Sequence, residues 1–428
     1  MTVMTAYNKY IKVHAKKAMA TVLLTMGITA VLQPLLTACS DDAPQASTTL
    51  EAIPCGRSFE EEETDGANGA NGTHGANGAN EAQEARSSRW LTRAWTPPTG
   101  YSTYADNYKN QFREQVDMFY KSIEAFFTSG NEVLRGTFFY RSSNSQWRFL
   151  SDLELETKDY QLYGYIPKEI AESSEIAPNV NYNNGAVLTL HGLKTITHSD
   201  VSVVVGASNG SDADNDGDLQ TGDFNVEAKA TSTEAGTGTG NFIYLLFDHL
   251  YGGLRFSFKT DPTYAELRTI KITRLELTAL SNSNQKLKAK YNAEVTLQKN
   301  DKGTSPLMSI NFTPVNESAD VSYETIYSGE EVELPSDEFK DFMGCFVPNI
   351  TTNFILRTTY NVYDRKGNIT RKGCQAENAI ELRRLYNNSL LELQRGRMFT
   401  IKLTVKPTYL YVLSDADADL DSPTITTQ

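Results

Sequence analysis

The chain has 428 residues, with 40 Lys and Arg against 53 Asp and Glu, and a formal net charge of −13 at pH 7. A surface this acidic repels a phosphate backbone, which argues against a nucleic acid partner. Of the four cysteines, Cys39 follows an apolar run, Cys55 falls in what reads as a linker, and Cys345 and Cys374 lie in the C-terminal half, either bridged or as two buried thiols.

Residues 1–38 open with Lys9, Lys12, Lys16 and Lys17 and no acidic residue, continue with an apolar segment over 18–32, and end in Leu36-Thr37-Ala38 before Cys39. A basic start, a short apolar centre broken by Pro34, and small residues at the exit predict a secretory signal and not a spanning helix. The LTAC ending resembles a bacterial lipobox. That resemblance implies cleavage before Cys39 and a lipid joined to its sulfur, making Cys39 the first mature residue. The alternative is an ordinary cleaved signal with an incidental cysteine. Two or three acyl chains, at about 0.8 kcal/mol per buried methylene, anchor stably where one is marginal. Ser40-Asp41-Asp42 resembles the acidic tag that Bacteroidetes use to send lipoproteins to the outer face of the outer membrane.

Residues 39–93 read as a disordered tether. They carry Glu60, Glu61, Glu62 and Glu63, then the repeat GANGANGTHGANGAN over 66–80, and show no apolar period. Such a sequence buries too little surface to offset its ordering entropy, and as a coil it holds the folded part of the chain roughly 40 Å from a membrane. The tether ends in RSSRWLTRAW, where Arg86, Arg89 and Arg93 offer an arginine-directed protease an accessible cut; locally, they equally serve to offset the acidic charge.

Next, Tyr104, Tyr108, Phe112, Val116, Phe119 or Tyr120, and Ile123 recur every three or four residues, which predicts a short helix over 103–121. The rest of the folded part reads as mostly strand. QWRFLSDLELETKDYQLYGYIP predicts two strands ending at Pro167, and LRFSFKT alternates through Leu254, Phe256 and Phe258. RTIKITRLELTAL alternates through Ile270 and Ile272, then changes phase to Leu275 and Leu277, which predicts a bulge. FILRTTYNVYDRKGNITRKG predicts a hairpin turning at Lys366-Gly367-Asn368, and MFTIKLTVKP puts Phe399, Ile401, Leu403 and Val405 on one face. The expectation is an all-β protein of two sandwich domains, 94–262 and 263–428, divided at Asp261-Pro262.

Catalytic motifs are present only in fragments. GASNG over 206–210 fits G-x-S-x-G, but the acidic stretch after Ser208 cannot form the strand-to-helix elbow a nucleophile needs. His191, His198 and His249 have no HExxH or CxxC companion, and His249 reads as a buried, satisfied histidine. No catalytic residue is assigned, and the chain reads as a non-enzyme. DADNDGDLQTGD does match a calcium loop, with Asp212, Asp214 and Asp216 at positions 1, 3 and 5, Gly217 at the turn, a carbonyl from Asp218, and Asp223 at position 12. The alternative is a solvated acidic turn.

FIYLLFDHLYGGLRFSFKT, with Phe247, His249, Leu250 and Leu254 ahead of an alternating strand, is similar to the F-x-H-x-L signature of the fimbrillins, subunits of Bacteroidetes type V pili. DYQLYGYIP resembles an aromatic strand of the same family, and RGRMFTIKLTVKPTYLYVLSDADADLDSPTITTQ resembles its C-terminal ending. The helical 103–121 departs from the pattern, since early strands are usual there. The resemblance implies two transthyretin-like, Ig-like sandwiches, export as an outer-membrane lipoprotein, and loss of an N-terminal strand when a protease cuts after Arg93, or after Arg89. It further implies that a neighbour's C-terminal strand refills the groove, here from Tyr409, Leu410, Tyr411, Val412, Leu413 and from Thr424, Ile425, Thr426, Thr427. Other fimbrial subunits are then the partners. The competing possibilities are an edge strand that merely closes its own sandwich and, for the whole protein, a monomeric surface adhesin or glycan-binding lipoprotein. Cys39→Ala is expected to abolish metabolic labelling with an acyl analogue and to leave an unprocessed precursor; unchanged labelling would end the lipoprotein reading.

Overall fold

The computed structural model describes residues 50–63, 101–103, 122–141, 146–151, 155–156, 158–179, 185–209, 221–228, 241–298, 308–342, 344–385, 393–406 and 424–427. All lie within one compact unit, Thr49–Gln428; the other unit, Met1–Thr48, falls outside them. The strands are, in chain order, β1 Leu50–Arg57, β2 Glu60–Glu63, β3 Tyr101–Thr103, β4 Ser122–Ser129, β5 Glu132–Arg141, β6 Gln146–Leu150, β7 Lys158–Ile166, β8 Ser173–Asn179, β9 Gly185–Lys194, β10 Ser202–Ser208, β11 Asn225–Ala228 and β12 Asn241–His249. They continue with β13 Tyr251–Thr260, β14 Thr269–Leu280, β15 Lys290–Leu297, β16 Met308–Pro314, β17 Glu324–Glu333, β18 Lys340–Asp341, β19 Cys345–Pro348, β20 Asn353–Tyr363, β21 Ile369–Glu381, β22 Arg397–Lys406 and β23 Thr424–Thr427. Helix is confined, among the described residues, to single turns such as Pro262–Ala265, whose first amides donate to the Asp261 carboxylate.

Local patterning places most of these strands as expected. In β22 the side chains of Phe399, Ile401, Leu403 and Val405 are buried. Pro167 follows β7, and Gly367 takes a φ of 80° in the turn between β20 and β21, where Asp364 accepts the amides of Lys366 and Asn368. The phase change in β14 is a register shift between Ile272 and Arg274 against β20. Thr103 departs from the expected helix: it pairs with Cys55 as the end of β3, while the rest of 103–121 lies outside the described residues.

Four sheets result. The first runs β10-β12-β1-β6-β5-β4-β7-β11, with β3 also on β1. A further pairing of β10 with β7, Ser202 opposite Ile166 and Val203 opposite Tyr165, closes this sheet into a barrel-like ring. The second runs β18-β13-β22-β2, with β19 on β13 and β23 on β22; the third is β17-β14-β20-β21 and the fourth β16-β15-β9-β8. One core collects the first sheet with β9 and β15, including Phe127, Tyr163, Leu188, Val295 and Phe247, and the other collects β13, β14, β20 and β22.

Two expectations need correction. Asp261-Pro262 does mark the end of β13, but sheet membership crosses it: β15 pairs with β9, and Ala293, Val295 and Leu297 lie in the first core. The passage between the first and second sheets comes instead at His249–Tyr251, where β12 gives way to β13 after a single residue, Leu250. The tether fails over 50–63, which are strands β1 and β2. β1 escapes a periodicity test because a strand buried on both faces shows no alternation. Leu50, Ala52 and Cys55 are all core residues.

Phe256 is fully buried in the second core, whereas Ile369 is half exposed. Phe256→Ala is expected to cost about 3–5 kcal/mol in urea unfolding through the cavity it leaves. Ile369→Ala should change stability by less than about 0.5 kcal/mol, as surface changes do.

Candidate strand-docking groove

Strand β1 has neighbours along both edges. On one side it runs parallel to β12, Leu50 opposite Asn241 through Gly56 opposite Phe247. On the other it meets β6 at Glu51 and Ala52, and β3 at Cys55, Gly56 and Arg57. Ile53 and Pro54 fall between those two partners, so the proline, which has no amide hydrogen, sits where that edge forms no ladder. Burial pushes the Cys55 thiol up to about 12, leaving it an inert apolar filler in this position.

Beyond Arg57 the segment crosses to the second sheet. The amide of Glu60 donates to the carbonyl of Gly396 at 2.9 Å, and β2 then runs parallel to β22, Glu60 opposite Arg397 through Glu63 opposite Thr400. The acidic run is matched by cations: Glu60 lies 3.4 Å from Arg397 and 3.5 Å from Arg57, and Glu61 lies 3.5 Å from Arg255. These pairs are solvent-exposed, so each contributes no more than about 1 kcal/mol. Further along the same edge of β22, β23 pairs antiparallel with Leu403 to Lys406. The N-terminal and C-terminal strands therefore lie end to end on one edge.

Between the two sheets the segment passes over a buried polar cluster. The His249 Nδ1 lies 2.8 Å from Asp200 Oδ2, and its Nε2 lies 2.7 Å from the carbonyl oxygen of Arg57. The ring of Phe59 stacks on the imidazole with centroids 3.7 Å apart. Arg395 donates to the Asp248 carboxylate at 2.8 Å, and Arg57 lies 3.4 Å from the same oxygen. Burial alone would raise the Asp248 carboxyl, but Arg395, His249 and Arg57 together hold it below the usual carboxylate range. Gly396, with a φ of 68°, brings the backbone close to the imidazole in a conformation that favours glycine.

The structure brings together the two stretches singled out at 247–254 and 395–406 by running β13 beside β22. Thr424 to Thr427 form β23 on their own chain's β22, with Ile425 buried in the second core. Cys39, Arg89, Arg93, Asp212, Asp214, Asp216, Asp218 and Tyr409 to Leu413 lie outside the described residues. Asp223 is described, and its Oδ1 accepts both the backbone and the side-chain amide of Asn225. Among the described residues no group of three His, Cys, Asp or Glu is placed to hold a metal, and no disulfide joins Cys345 to Cys374. Sequence reasoning missed β1, Arg57 and Phe59; the signal available was the short apolar run Leu50, Ala52, Ile53, Cys55 inside polar surroundings.

No family model matches the chain, and no curated protein does. Solved structures that it resembles are a candidate cell adhesion protein from Bacteroides fragilis (9% identity, 89% of this chain and 97% of that one, TM-score 0.39) and another from Bacteroides ovatus (11%, 89% and 96%, TM-score 0.34). A third is the fimbrial anchor protein Mfa2 from Porphyromonas gingivalis, at 10% identity over 72% of this chain and 86% of that one, with a TM-score of 0.21.

Because Cys55 belongs to β1 and is fully buried while that strand is seated, its alkylation reports how often the strand lifts. Phe59→Ala removes a buried ring from the joint, at about 3 kcal/mol. Peptide-resolved mass spectrometry is expected to show Cys55 labelling about a hundredfold faster in that variant, with Cys345 labelling unchanged.

Proposed function

We propose that this protein is a cell-surface fimbrial subunit, exported as a lipoprotein, whose leader strand is removed by proteolysis and replaced by a strand from another subunit. The observation that carries this is the placement of residues 50–63. They complete both the first and the second sheet, yet they precede Arg86, Arg89 and Arg93, so a cut after Arg93 severs them from everything else in the fold. Their departure would bare the edge of β12 along 241–247 and the edge of β22 along 397–400, beside the pockets that Leu50, Cys55 and Phe59 now fill. An open edge of this kind seeks another strand, with backbone bonds for affinity and alternate side chains for register.

The C-terminal residues are the natural donors. The edge of β22 already accepts Thr424 to Thr427, immediately beyond the stretch that β2 occupies. A tail released from its own chain would carry Tyr409 to Leu413 and Thr424 to Thr427 to a neighbour. In this reading the chain does no covalent chemistry, and calcium at Asp212 to Asp223 is its one candidate cofactor.

Purified protein trimmed after Arg93 is expected to form ladders of oligomers that survive mild detergent. Deleting 409–428 should stop the ladder, with a lower melting temperature as Ile425 leaves its core but with the sheets still folded. Trimmed protein that stays monomeric at high concentration would replace this function with that of a solitary surface adhesin.

A further inference from the structure

His249 is 3% exposed, and both of its ring nitrogens face acceptors, a carboxylate oxygen of Asp200 and the backbone carbonyl of Arg57. A neutral imidazole has one N–H and cannot donate to both; an imidazolium can. Burial, the largest single influence, pushes the ring toward neutrality. The Asp200 carboxylate, the nearby Asp248 and the Arg57 carbonyl outweigh it, and the pKa ends above the ordinary histidine value. The charged and titratable groups around the ring come from every element packed on it. Asp200 precedes β10, Asp248 ends β12 beside it, Arg395 leads into β22, Arg57 ends β1, and Tyr101 of β3, its hydroxyl pushed up by burial, interacts with Asp248, Arg57 and Arg395. Glu60 of β2 bridges Arg57 and Arg397, while Ser202 donates to Asp200 at 2.6 Å.

A groove that needed only backbone bonds would have no use for this assembly. We propose that the cluster is a recognition site for an extended strand. It takes a segment that offers a backbone carbonyl to His249, a cationic side chain on that same residue to Asp248, and an aromatic ring two residues later over the imidazole, and it holds that segment while the imidazole is protonated. In the intact chain the occupant is Arg57-Ser58-Phe59. This recognition stands on the uncut protein; only its extension to a second copy's strand rests on the function proposed above. Residues 407–428 contain no Lys or Arg, so a second copy's tail could present a carbonyl and the ring of Tyr409 or Tyr411 but would leave Asp248 to Arg395 alone. The site therefore favours the leader over a second copy's tail.

The direction of the pH dependence comes from linkage. A group whose folded pKa is raised stabilises fully below its unfolded value, about 6.5 for histidine, and loses that contribution as pH climbs through the folded value. Asp248, held low, loses its contribution only in acid, so the grip on β1 is firmest in between.

Hydrogen exchange of the full, uncut chain between about pH 6 and about pH 9, corrected for intrinsic amide chemistry, tests this. Protection of amides 50–63 is expected to hold at the low end and then fall toward a limit of about tenfold per pH unit, while β14 and β20 stay constant. Nitrogen-15 NMR of the His249 ring should show both nitrogens protonated near pH 6.5. His249→Gln, which keeps one donor but carries no charge, should lower protection and remove its pH dependence; Phe59→Leu and Arg57→Gln should each lower it several-fold. Should His249→Gln fail to fold, Asp200→Asn decides, because it must move the pH break downward. A neutral ring near pH 6.5, protection that does not change with pH in the wild type, or an unchanged break in Asp200→Asn would each overturn the proposal. None of these measurements involves trimming, so absence of a ladder after the Arg93 cut would count against the fimbrial role and leave this result intact.

Discussion

Parallel strands cannot be joined by a tight turn, and the parallel ladder between β1 and β12 is the constraint around which the protein is organised. Nothing local in the chain keeps Leu50 opposite Asn241. The strand stays because its backbone groups are bonded on both edges and its side chains fill the first core. The same holds one step on, where β2 runs parallel to β22, itself parallel to β13. Because β12 and β13 are nearly continuous, one short leader can run along both sheets.

A strand held this way is removable in principle without dismantling its neighbours. Its ladder bonds individually contribute about 1 kcal/mol, but exposing apolar pockets and unpaired backbone groups together is far more costly. Cutting the chain therefore does not by itself empty the groove. The leader must be displaced, and the most economical displacement is strand for strand, since the incoming chain satisfies each backbone group as the outgoing one leaves it.

At the joint the same logic applies to charge. Asp200, Asp248, His249 and Arg395 are tolerated where they lie because they pair with one another and with the leader. With the Arg57 carbonyl gone, the His249 N–H faces the vacated channel, and an unsatisfied polar group of this kind costs about 1–3 kcal/mol. The groove is thus apolar along its length and polar at one point. That point determines which residue of a strand must lie over it, much as a single polar position sets register in other paired structures.

Strands such as β13, β14 and β22 were legible in the sequence because one of their faces is apolar and the other is not, a contrast carried by neighbouring residues. The bulge near Thr273 and the turn at Gly367 were legible for the same reason. The expected export signal and the candidate lipid site likewise rest on short contiguous patterns. β1 was not legible, because it is buried on both faces and interrupted by Pro54 and Gly56, and β2 was not, because four glutamates spell a solvated coil until Arg57, Arg255 and Arg397 are brought beside them. His249 could be recognised from its surroundings as a buried histidine, but its acceptors come from Asp200 and Arg57, remote in the chain. Sequence by itself determined an acidic, largely β chain and the faces of its regular strands. Only the tertiary structure decided that residues 50–63 belong to the fold, because parallel pairing, two-sided burial and charge compensation are made between segments that carry no mark of one another.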